Sequence, residues 1–206
     1  MQSASSSKVF TAERIAFAAM FAALICVCSW IAVPNPFSAG VNFTLQTFAV
    51  ILAGLLLSPT EALLVGIVYL FLGLVGLPIF SGFATLYTRF PTAAGGYIIG
   101  FYITPFIIAV IRQAVLNVVD KKDLSPAAKK TAHFVTYLIL SIIIGILAVD
   151  IPGIIQGMYY TKMSFKSALF PFMFSFMPTD IIKCVLAAAV ASAVEKPLMH
   201  IRKGKV

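Results

Sequence analysis

Long apolar stretches broken by short polar or proline-bearing joints set the pattern of this chain. The first stretch, about 11–33, has Glu13 and Arg14 at its entry and Trp30, a residue suited to a membrane interface, near its far end. Pro34-Asn35-Pro36 then breaks any helix, because proline lacks a donor and restricts its neighbour. A second stretch, about 41–57, is polar in its first turns, with Asn42, Thr44, Gln46 and Thr47, and apolar from Phe48 to Leu57. A helix polar at one end predicts a cavity on that side. Pro59 suits the first turn of a third helix, about 61–76, which ends at Pro78.

Residues 79–92 are aromatic, polar and glycine-bearing, too short and mixed to span a bilayer. They are expected to form an ordered loop capping a cavity. A fourth helix, about 93–117, opens with Gly95-Gly96-Tyr97 and Gly100, whose small size permits close packing, and carries a kink at Pro105. A charged loop follows. A fifth helix, about 132–149, is expected to be interrupted by Asp150-Ile151-Pro152-Gly153, and a sixth covers about 165–198.

Composition turns these stretches into membrane spans. The chain is 206 residues long and 61% hydrophobic, with 11% charged residues; its mean hydropathy is +1.02. This predicts an all-α polytopic membrane protein, a single domain of about six spans. Most of the lysines and arginines behind the net charge of +8 collect at one predicted membrane edge. By the positive-inside rule both termini face the cytoplasm and the polar ends of spans 2, 4 and 6 converge on an outward-facing cavity. Cys26, Cys28 and Cys184 have no metal-site spacing and are expected to be small buried residues. No phosphate-binding loop, H-E-x-x-H or G-x-S-x-G motif occurs, which disfavours an enzyme and a metal or cofactor site. No carboxylate chain for proton relay or inverted repeat supports a self-powered transporter. A capture subunit driven by partner proteins remains, with a ligand-free scaffold as another reading.

Asp180 and Lys183 carry the chemistry. They lie three residues apart, on one face of an apolar helix, and charge at membrane depth marks a functional site unless it merely pairs to fix packing. On span 1, Ala18 with Ala22, and Ala19 with Ala23, form small-xxx-small rows that admit a close helix neighbour. One row is expected to face a partner protein, the alternative being an internal contact.

Phe43-Thr44-Leu45-Gln46-Thr47-Phe48-Ala49-Val50, Gly73 to Phe80, Pro91-Thr92 with Gly96-Tyr97-Ile98-Ile99-Gly100-Phe101, and Pro178-x-Asp180-x-x-Lys183 resemble, in order, motifs of the BioY family. Two extra small residues, Ala93 and Ala94, separate Pro91-Thr92 from Gly95-Gly96-Tyr97. The resemblance implies a biotin-binding substrate component of an energy-coupling factor transporter. It also implies six helices in a bacterial plasma membrane, an external biotin site, and docking onto a coupling protein with two ATPases. Biotin offers two ureido N–H groups, a ureido oxygen, an apolar ring and a carboxylate. Asp180 can accept from the N–H groups. Lys183 can donate to the ureido oxygen or meet the carboxylate, and Arg89 is the other carboxylate candidate. Tyr97, Phe80 and Phe43 can wall the ring or simply pack the core, with Thr44, Gln46 and Gln156 as further polar candidates. A substrate component for thiamin or riboflavin is the alternative within the class, and an intramembrane enzyme the alternative outside it.

Overall fold

In the computed structural model, residues 12–38 and 40–203 are described. Their elements run in order as α1 (Ala12–Trp30), β1 (Ala32–Val33), β2 (Phe43–Thr44), α2 (Gln46–Leu56), α3 (Pro59–Leu74), α4 (Leu86–Arg89), α5 (Gly95–Asp120), α6 (Pro126–Ile139), α7 (Ile146–Thr161), α8 (Phe165–Leu169) and α9 (Met177–Lys203). Four stretches are long and apolar enough to cross a membrane: Ala12–Trp30, Gly95–Asp120, Pro126–Thr161 and Met177–Glu195.

The core is built around α2. Ten of its residues are buried, and α5, α9 and α1 surround it. Apolar side chains cover its whole circumference because it meets protein on every side, as an all-round hydrophobic helix must. Its eleven residues reach only about 16 Å, roughly half of a ~30 Å hydrocarbon core. The residues expected to extend it, from Val41, lie instead in the β1–β2 hairpin, which pairs Ala32 with Thr44 and Val33 with Phe43. Ser58 and Glu61 form a capping box that starts α3, with Ser58 N donating to Glu61 Oε2 at 2.8 Å. At the far end of α2, Arg112 of α5 donates to the carbonyls of Leu55 and Leu57, which have no helical partners there.

Two expected boundaries change. The fifth helix is not interrupted at 150–153. It runs from Pro126 through a π-helical segment, Leu140–Gly145, and on through Pro152 to Thr161. Proline within a helix removes one hydrogen bond, and the packing of neighbouring elements tolerates this. Here α5 supplies that packing. A Cβ on Gly96 would run into the Pro152 carbonyl, and one on Gly100 would lie 2.7 Å from the Val149 Cα. The helices meet backbone to backbone, as the small residues of α5 predict. The sixth stretch, in contrast, is divided. After α8 and a second π-helical segment, Phe170–Phe174, the chain bends and α9 begins at Met177. Asn35 of the hairpin loop ties this joint down by donating to Ser175 Oγ at 2.9 Å.

Residues 75–94 close one end of the bundle. Gly76 and Gly82 take positive φ, and Phe80 bridges back to Ala84 around the second of these turns. Ser29 of α1 donates to the Ile79 carbonyl at 2.6 Å, and Trp30 Nε1 to that of Pro78 at 3.0 Å. Trp30 also stacks on Phe83 at 5.5 Å. Gln156 of α7 donates to the carbonyls of Phe90 and Thr92. The segment is therefore fastened from α1 and α7.

Candidate binding cavity

Beneath this loop lies a cavity of about 540 Å³, counting its open mouth. The hairpin and loop supply Asn42, Phe80, Ser81 and Arg89; the first turn of α2 supplies Gln46 and Thr47; α5, α7 and α9 supply Tyr97, Asp150, Asp180 and Lys183. The short reach of α2 makes the room.

The polar floor centres on α9. Lys183 Nζ donates to Asp180 Oδ1 at 2.7 Å, one helical turn away, with both residues buried. Thr47 also bonds the Asp180 side chain. Each charge is satisfied by its neighbour, the condition for holding ions away from water. Asp150 stands in electrostatic reach of both.

At the mouth, Arg89 donates to the Ser81 carbonyl at 2.8 Å and to the Gly40 carbonyl at 3.2 Å. It joins the loop to the hairpin while lining the cavity. Partial burial lowers the pKa of its guanidinium from the ordinary arginine value. The cavity thus has a cation at its mouth and an acid–base pair at its floor, with Phe80, Tyr97, Phe101 and Phe176 between them. It can hold a ligand with an acidic end, an apolar middle and a polar ring that both donates and accepts hydrogen bonds.

Of the residues singled out in the sequence, Asp180, Lys183, Arg89, Tyr97, Phe80, Thr44 and Gln46 line this cavity together. Two do not. Phe43 packs edge-on against Phe176 at 5.1 Å, behind the wall, and Gln156 is engaged with the loop carbonyls. Two others line the wall with their polar atoms already committed. The Tyr97 hydroxyl donates to the Phe172 carbonyl at 2.6 Å, and Gln46 donates to the Tyr69 hydroxyl at 3.0 Å while accepting from Thr44. Asp150, Thr47, Asn42 and Ser81 join the wall although sequence reasoning did not select them as binding residues. Asp150 carried a usable signal: it is an acid within an apolar stretch, the criterion that found Asp180.

The chain matches the model of the BioY family over residues 1–200. It belongs to the BioY family. A probable biotin transporter BioY from Lysinibacillus sphaericus is 34% identical over 179 residues, covering 86% of this chain and 83% of that protein. The biotin transporter BioY of Thermotoga maritima is 30% identical over 179 residues, covering 87% and 94%. Among solved structures, the fold is similar to that of the S-component for biotin from an ECF-type ABC transporter. The TM-score is 0.74 at 24% identity, over 89% of this chain and 91% of that one. Within this BioY chain the two alanine rows singled out on α1 part company. Ala18 and Ala22 are buried in the core, whereas Ala19 and Ala23 are exposed. The three cysteines are free and buried.

Proposed function

We propose that this BioY chain captures biotin as the substrate-binding component of an ECF-type transporter. The observation that carries the reading is the buried Asp180–Lys183 pair set into the floor of a loop-covered cavity that Arg89 also lines. Biotin complements that cavity, with its ureido ring toward the pair, its apolar ring among Phe80, Tyr97 and Phe176, and its carboxylate toward the cation at the mouth. This arrangement favours Arg89 over Lys183 as the partner of the carboxylate, because Lys183 is held at the floor by Asp180.

On this reading the protein does no chemistry on its ligand. Six spans, with α2 and α3 the shortest, cross the bacterial plasma membrane. Both termini lie on the cytoplasmic side, and the loop at 75–94 faces outward. A coupling protein with two ATPases supplies the energy, and ATP is used there. The exposed Ala19–Ala23 row is the surface through which α1 meets the coupling protein, since small residues let helix backbones approach in lipid. The test is to purify the chain from cells grown with vitamins and identify the bound ligand by mass spectrometry. Biotin is expected. Thiamin or riboflavin would place the chain with another vitamin.

A further inference from the structure

Asp150 is buried, with 1% exposure, and lines the cavity. Its Oδ2 has no hydrogen-bond partner among the described residues. The carboxylate does not pair with the nearby Lys183, whose ammonium donates to Asp180. Nor is α7 free to turn it away. Gly96 lies against Pro152, Gly100 against Val149, and the Tyr97 ring against Gly153, so α5 grips α7 on both sides of position 150. A buried acceptor without a donor is unfavourable, and the fold holds this one in the cavity wall.

The floor therefore offers acceptors from two helices, Asp180 from α9 and Asp150 from α7. A single carboxylate suffices for one N–H. Two carboxylates set around one floor match a group that presents N–H donors on two sides, as a cyclic urea does. We propose that Asp150 is a second ligand-binding carboxylate, accepting through Oδ2 from one ureido N–H while Asp180 serves the other. This rests on the biotin reading. It assigns Asp150 a role in specificity, favouring rings with two donors over rings with one.

The test measures binding of biotin, and of the two biotin derivatives methylated on one or the other ureido nitrogen, to the full chain in detergent. The variants are Asp150→Ala and the closer Asp150→Asn, whose amide oxygen still accepts. Melting temperature and size-exclusion profile establish that each variant is folded. If Asp150→Ala does not fold, Asp150→Asn carries the comparison. Asp150→Ala is expected to weaken biotin roughly ten- to a hundred-fold, the range for leaving a buried donor without its partner; Asp150→Asn is expected to weaken it less. Against the one derivative whose methyl replaces the N–H facing position 150, either variant should bind no worse than wild type does, so the two losses do not add. Biotin affinity unchanged in both variants overturns the proposal. So does a loss of the same factor for biotin and both derivatives, which marks Asp150 as structural. Failure of the wild-type chain to bind biotin overturns the ligand reading itself and this inference with it.

Discussion

Lys183 Nζ sits 2.7 Å from Asp180 Oδ1, one turn away on the same helix, and both residues are buried in the cavity wall. Neither ion is stable alone at that depth, so the pair stands or falls together. Replacing Lys183 with alanine is expected to leave a bare carboxylate beside Asp150. The cost is about 3–5 kcal/mol, divided between fold stability and ligand binding. Biotin affinity and detergent melting temperature of Lys183→Ala, Asp180→Asn and the double variant check this. The double variant should be less destabilised than the two single losses sum to. Native affinity in a folded Lys183→Ala protein contradicts a role for the pair in binding.

The same physics explains how much of the molecule was legible in its sequence. The apolar runs fall on α1 and α5 and, for the sixth, on α8 and α9 together, and the isolated acid and base in an apolar helix pointed to residues that line the cavity. The misreadings arose where tertiary packing outweighs a local signal. Pro152 and Gly153 read as a break, yet α7 continues because Gly96 and Gly100 bring α5 against it and hold the helix in place. That misplaced break also hid Asp150. Residues 41–45 read as the start of α2 because their polarity resembles a helix end, whereas Phe43 and Thr44 pair with Val33 and Ala32 and α2 begins only at Gln46. Phe43 and Gln156 share the residue types of a binding wall, and only their neighbours show that they support it from behind.

The contact between α5 and α7 should be intolerant of bulk. Gly96→Val places a side chain where the Pro152 carbonyl lies. Overpacking typically costs about 1–3 kcal/mol, and a backbone obstacle puts this case at the upper end or beyond. A clear fall in melting temperature in detergent is expected, with biotin restoring part of it by mass action.

Arg89 fastens the loop to the hairpin through the carbonyls of Ser81 and Gly40. Cutting that tie with Arg89→Ala should accelerate hydrogen exchange across 78–92 and raise the biotin dissociation rate roughly ten-fold, about 1.4 kcal/mol. In the wild-type chain, exchange over the same residues should slow when biotin is added. Exchange indifferent to saturating biotin would show that this loop is no lid.

The two alanine rows of α1 now separate. Ala22 is fully buried, so Ala22→Trp should disrupt the fold itself. Ala19 is exposed, so Ala19→Trp should leave biotin binding intact and block co-purification with the coupling module and ATP-driven uptake. An Ala19→Trp chain that assembles and transports normally would remove this row from the interface.

Titration of the purified chain with biotin, thiamin and riboflavin by isothermal calorimetry addresses the central claim most directly. The account predicts saturable binding of one biotin per chain, with no measurable heat from thiamin or riboflavin and loss of the biotin signal in Lys183→Ala. Binding of thiamin or riboflavin in place of biotin, or no binding of biotin by a folded wild-type chain, would contradict it.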